Sequence, residues 1–309
     1  MSDIGISIVV PVYNSEACVE ELVNRLAAVL DEFGKACEIV LVNDCSTDHS
    51  WEKISGLCQT FTMLRGINLR KNFGQDCAIM AGLKNSSGQI VVIMDDDLQH
   101  DPRDIPALIT ELQRGYDICY ALFPAKKHTR FKNFGSWFMG QVEDVILKKP
   151  KHIYLSPFKA IRREVIDNVL QYDGPYPFID GLLLRVTRNI TQVSIEHHER
   201  YAGSSTDNLI NSIKIWSRLA TNFSIIPLRL ATLLGFVSSG IGLILGLFFL
   251  IQYFIGVKAP VGWFSTIVVV LFLGGIQLLT IGIIGEYVGR LFLHTSKEPQ
   301  FIVKEKIGY

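Results

Sequence analysis

Residues 91–100 read VVIMDDDLQH, so three carboxylates, Asp95, Asp96 and Asp97, follow directly on a run of apolar residues. Like charges this close repel and raise one another's pKa, so something must offset them. One reading is a solvated turn that caps a helix. The other is a divalent cation carrying a polyphosphate. Asp95 and Asp97 stand two apart at a strand end, so a small twist of the loop aims both at one ion, and Gln99 follows at the same spacing with a carbonyl oxygen. Oxygen-only ligands suit Mg²⁺ or Mn²⁺, which commonly take one or two carboxylates and complete their shell with substrate phosphates. A D-x-D pattern alone is weak, because acidic turns are common. Its place after an apolar strand is the more specific signal. Asp96, between the two, is expected to point away as a turn residue.

Two further polar clusters contain residues able to bind a nucleotide. Asp44, in VNDCSTD, lies just past an apolar run and can accept hydrogen bonds from a base or ribose; it can equally cap a turn. Tyr13, in PVYN, can stack on a base or fill the edge of a core. Together with a metal motif on one rim, they favour a nucleotide site.

The elements that must position these residues alternate. Strand-like runs cover 6–10, 38–42, 63–68, 90–94 and 118–121, and helix-like runs cover 16–33 (after a Ser15 cap), 51–58, 75–85 and 105–114. This alternation predicts an α/β domain with a mostly parallel sheet covered by helices on both faces. In such sheets ligands bind at the carboxyl ends of the strands. The clusters PVYNSE, NDCSTD, RKNFGQ and DDDLQH follow the first four strands in turn. Residues 123–201 are less regular, mix basic and aromatic residues, and are read as the acceptor-side half of the same domain.

Lys+Arg and Asp+Glu balance at 30 each in 309 residues, which argues against a general nucleic-acid binder. All six cysteines lie in the first 120 residues without metal or C-x-x-C spacing, and read as buried or half-buried thiols of a reducing compartment. The N-terminus has no basic leader and does not read as a signal peptide. Past Asp207 the character changes: 230–257 and 259–285 are free of charge, each longer than the roughly 20 residues a bilayer span requires. Two membrane helices are expected. Arg218, Arg229, Arg290, Lys297, Lys304 and Lys306 flank their outer ends, whereas only Lys258 lies in the connecting turn. The positive-inside rule then puts the catalytic domain and both termini in the cytoplasm. Before the first span, Leu209, Ile213, Trp216, Ala220 and Phe223 share one helical face and Lys214 and Arg218 another, as suits a helix lying on the bilayer surface. The expected organisation is a domain over 1–207, an amphipathic segment over 208–227, two membrane helices within 228–293 and a cytoplasmic tail over 294–309.

SIVVPVYN, VNDCSTD, RKNFGQ, DDDLQHDP and RYAGSS resemble, in order, the motifs of inverting family 2 glycosyltransferases of the GT-A fold. The branch most similar transfers sugars to polyisoprenyl phosphates and includes dolichyl-phosphate mannose synthases and bacterial undecaprenyl-phosphate sugar transferases. GGIQLLTIGIIGEYVGR looks like the second membrane helix of the bacterial members. The resemblance implies a nucleotide-sugar donor contacted by Pro11, Tyr13, Glu16, Asp44 and Asp95. It implies a metal on Asp97 and Gln99 with Asp95 alongside, catalytic roles for Asp95, Asp97 and Arg200, and phosphates held by Arg200 and Ser205. It also implies an inner-membrane, multi-pass protein and a homo-oligomer, a tetramer in relatives. Two positions depart from the pattern. Relatives carry Gly-Asp-Phe-Arg where this chain has Ser156-Pro157-Phe158-Lys159, so an Asp discussed as a catalytic base is absent; Thr206 replaces a common Lys. A polyprenyl phosphate, with a second pKa of about 6, is ionised at neutral pH and can attack without a base. Lys159 either positions that phosphate or is a surface lysine. Other readings stay open: a non-catalytic nucleotide-sugar-binding subunit assisting lipid-linked sugar export, or a transferase with a different lipid acceptor. A processive synthase is disfavoured by the absence of a Q-x-x-R-W motif.

Overall fold

Strand β1 (Ile4–Val12) has the sequence IGISIVVPV, with Ile8, Val9, Val10 and Val12 wholly buried. An apolar run with neighbours of both parities buried is what a strand covered on both faces requires. The computed structural model describes residues 4–33, 36–123, 150, 153–195, 226–255, 262–296 and 298–309. They divide into two compact units, residues 1–206 with 297–309, and residues 207–296.

In the first unit β1 pairs in parallel with β2 (Ala36–Asn43) on one side and β4 (Ile90–Ile93) on the other, and β2 pairs in parallel with β3 (Leu64–Leu69). Helices α1 (Val19–Asp31), α2 (Ser50–Thr60), α3 (Gln75–Lys84) and α4 (Ile105–Gln113) supply the connections. The expected alternation is therefore present. Helix α1 starts later than expected: the Ser15 carbonyl accepts from the Cys18 and Val19 N–H groups, and Cys18 is the cap residue. Helix α3 lies close to the sheet because residue 82 is glycine; a Cβ there would stand 2.4 Å from Val9 Cγ1.

Beyond β4 the sheet turns mixed. β6 (Lys159–Arg162) is antiparallel to both β4 and β5 (Ile118–Leu122), and β7 (Ile190–Ser194) is parallel to β5. Helices α5 (Arg163–Val169) and α6 (Ile179–Val186) lie between β6 and β7 in the chain. At the far edge β8 (Val303–Ile307) pairs antiparallel with β3. The described strands thus run β7-β5-β6-β4-β1-β2-β3-β8. Residues 303–307, read from sequence as part of a tail, are a strand instead. Its segment is fixed by the Gln300 amide, which donates to the Tyr172 and Gly174 carbonyls at 2.8 and 2.9 Å, and by Lys306 Nζ on Asn85 Oδ1 at 2.6 Å.

None of the six cysteines is in a disulfide; Cys18, Cys77 and Cys119 are buried and the others half-buried, as expected. Burial pushes the Cys77 and Cys119 thiols up to about 12.

The second unit contains two long helices, α7 (Ile226–Phe254) and α8 (Trp263–Thr295). Phe272–Gly289 on α8 is the one stretch among the described residues long and apolar enough to cross a membrane; Ala231–Gly242 on α7 is a shorter apolar stretch. The other expected span falls on α7, where several side chains lie outside the described residues. The expected amphipathic helix, with Ile213 and Trp216, lies outside them entirely.

Candidate active site

Four parallel strands deliver their following loops to one rim. Strand order reverses at β1, with β2 on one side and β4 on the other, and such a switch point opens a crevice at the strand ends. The loops after β1 and β4 meet there: the Tyr13 N–H donates to Asp96 Oδ2 at 3.3 Å. Asp96 thus faces the β1 loop, and burial, with the Asp97 charge adding, raises its carboxyl above the ordinary range against the hydrogen bonds from Ser15 and Tyr13.

Asp95, Asp97 and Gln99 stand half-buried on the same loop. Gln75 Nε2 donates to Asp95 Oδ1 at 2.7 Å, and Asp97 Oδ1 accepts the Gln99 N–H at 3.1 Å. Leu98 between them takes a positive φ of 60°, which reverses the chain so that Gln99 follows closely on Asp97. Among the described residues no three His, Cys, Asp or Glu side chains form a ready-made metal cage. Two neighbouring carboxylates and an amide do fit a hard divalent cation that keeps substrate phosphate in its shell.

Asp44, at the end of β2, is 3% exposed and accepts the Phe73 and Gly74 N–H groups at 2.8 Å each. Burial raises its carboxyl and these two bonds partly offset that. Tyr13 is 49% exposed, so its ring is open to a ligand. Pro11 is buried within β1, opposite Val42. The Glu16 carboxylate accepts the His49 N–H at 2.9 Å just before α2, while its own N–H donates to Asp48. Arg200 and Ser205 lie outside the described residues.

Lys159 requires a correction. It is not a surface lysine. It is 3% exposed, ion-paired with Asp180, and 5.2 Å above the Tyr120 ring. A buried ammonium needs such a partner. The Tyr120 hydroxyl also donates to Asp180, at 2.9 Å. Asp76 completes this cluster by accepting the Ile179 N–H at 3.3 Å, which ties the start of α3 to the start of α6. Sequence reading missed Gln75, Asp76 and Asp180. A lysine inside the apolar run FKAI was the available signal, because a lysine is almost never fully buried unless paired.

Asp76 retains some exposure as a residue, but its carboxyl is enclosed. Burial above all, with Asp180 adding and the Ile179 N–H and Lys159 opposing, pushes it up to about 6 from 3.8. A pKa raised on folding stabilises the fold fully below the unfolded value of 3.8, and that contribution is lost as pH rises through about 6. Asp76→Asn keeps an oxygen for the Ile179 N–H. Thermal unfolding of variant and native protein from about pH 4 to 7 is therefore expected to show the difference moving in the variant's favour as pH rises. A difference independent of pH would refute the assignment.

The sheet order, the acidic loop after β4 and the polar loops beside it make up a GT-A-like transferase fold. Solved structures share it: glucosyl-3-phosphoglycerate synthase of Mycobacterium tuberculosis is 19% identical, with a TM-score of 0.52 over 70% of this chain and 78% of that one. Its complex with Mn²⁺ and uridine-diphosphate-glucose is 18% identical, with a TM-score of 0.50 over 70% and 77%. Residues 7–170 match Glycosyl transferase family 2, and residues 226–291 match the GtrB C-terminal hairpin. An undecaprenyl-phosphate 4-deoxy-4-formamido-L-arabinose transferase of Aeromonas hydrophila is 31% identical over 310 residues, covering 97% of this chain and 93% of the relative. A protein of the same name from Pseudomonas aeruginosa is 30% identical over 305 residues, covering 98% and 90%. The chain belongs to glycosyl transferase family 2 and is a glycosyltransferase.

Proposed function

We propose that the protein moves a sugar from a nucleotide-sugar donor to a polyprenyl phosphate, with inversion, at the cytoplasmic face of the membrane. One observation carries the reading: a family 2 domain with carboxylates at its switch point is joined, in one chain, to a hairpin that matches GtrB. Relatives named for undecaprenyl phosphate align along nearly the whole of it. Both α7 and α8 are read as spans. At 29 and 33 residues and about 1.5 Å rise each, they exceed the roughly 30 Å apolar core of a bilayer. The basic segment 208–227 is read as an interfacial helix, and the assembly as a homo-oligomer.

In this reading Tyr13 stacks on the base of the donor, and Asp44 and Pro11 border it. Asp95, Asp97 and Gln99 would hold Mg²⁺ or Mn²⁺, which supplies positive charge for the departing diphosphate. An oxygen of the lipid phosphate attacks the anomeric carbon from the face opposite the leaving nucleoside diphosphate. The new C–O bond forms as the bond to the nucleoside diphosphate breaks, and that bond's electron pair leaves with the diphosphate. Arg200, a planar and permanently charged fork, and Ser205 hold phosphate. Pro157 cannot accept a proton, and an ionised phosphate needs no acceptor for one.

The test is transfer by purified protein with Mn²⁺, a panel of nucleotide sugars and either polyprenyl phosphate or free prenol, with products identified by mass. Glycosylated prenyl phosphate is expected and free prenol should be rejected. The rate should fall as pH drops below about 6, where the monoester gains its second proton. Efficient glycosylation of free prenol would overturn the acceptor assignment.

A further inference from the structure

We propose that Gln75 is a positioning residue for the acidic loop, holding the Asp95 carboxylate in the orientation a divalent cation requires. The inference rests on the metal-dependent reading above. Gln75 is the first residue of α3 and exposed, and its side-chain amide reaches Asp95 Oδ1 at 2.7 Å. Its own place is set from both sides along the chain. Before it, Asp44 takes the N–H groups of Phe73 and Gly74, and Gly74 turns into the helix at φ +93°, a backbone that side chains rarely adopt. After it, Asp76 takes the Ile179 N–H at the start of α6. With both neighbours held, the Gln75 side chain starts from a set backbone position within reach of Asp95.

The chemistry of the amide suits this task. Asp95 shares its loop with Asp96 and Asp97, whose charges repel it. A lysine or arginine at position 75 would steady Asp95 but neutralise it and compete with a cation. A neutral amide steadies the carboxylate and leaves its charge in place. The bond uses one lone pair of a carboxylate that offers about four. Groups that orient metal ligands from behind typically govern affinity by about 10–100-fold. The contact also links Asp44, read as a base-binding residue, to Asp95 through three consecutive residues of one turn.

The test is Gln75→Met, which keeps length and helix propensity while removing the donor. Mn²⁺ binding to the purified full chain is measured by electron paramagnetic resonance without donor, alongside transfer assays. The expected result is a weakening of Mn²⁺ binding by about tenfold, the low end for such groups because the residue is exposed. At saturating Mn²⁺ most of the turnover should return, with an unchanged thermal midpoint. A purely structural role would not give that recovery. Equal Mn²⁺ affinity in native protein and variant would overturn the proposal and leave the metal reading intact. Native protein that binds no Mn²⁺ and works fully in EDTA would overturn both.

Discussion

Asp97→Asn is expected to lower sugar transfer on the order of 10²–10³-fold, the effect of removing one preorganised group that stabilises developing charge. The substitution isolates charge from shape. Asn keeps the oxygen that accepts the Gln99 N–H, so the turn around Leu98 persists. What disappears is half of the paired carboxylate charge proposed to hold the cation. EDTA should reduce the native protein to a similar level, and added Mn²⁺ should restore the native protein but not the variant. Transfer by the native protein at full rate in EDTA would refute the metal site.

Lys159→Met is expected to destabilise the first unit by about 3–5 kcal/mol, the usual penalty for leaving a buried charge without its partner. Asp180 would then lose its ion-pair partner while its charge still acts on the enclosed Asp76 carboxyl. Adding Asp180→Asn removes the stranded charge and should recover a large part of the loss. The measurement is the thermal midpoint of the single and double variants. A single variant as stable as the native protein would show that the pair contributes little. Recovery in the double variant separates a broken ion pair from poor packing of methionine.

The parallel half of the sheet was legible because each element announced itself locally. Apolar runs at 6–10, 38–42, 63–68 and 90–94 became β1 to β4, and the polar loops after them had to share a rim once the strands were parallel. That put Asp44, Tyr13 and Asp95 to Gln99 together without any knowledge of distance. The antiparallel additions were not legible. β6 is four residues long, and β8 reads VKEKI, an alternation of charges that looks like a solvated tail. Its pairing with β3 is a contact between distant parts of the chain, which no local period encodes. The same limit hid the Lys159, Asp180 and Asp76 cluster, assembled from three separate elements. The contact between Glu16 and the backbone just ahead of α2 was equally hidden, because it joins two loops more than thirty residues apart.

The pairing of β8 with β3 also sets an order of events during synthesis. β3 leaves the ribosome early, with β2 along one side, and its other edge has no partner until the chain has passed through both α7 and α8. An open strand edge is a template for wrong pairing. The sheet is therefore finished only after the apolar helices have been made, and a nascent chain stalled or cleaved within them keeps an exposed edge at Leu64–Leu69. The β3–β8 pairing thus forms only in chains whose two long apolar helices have been made in full.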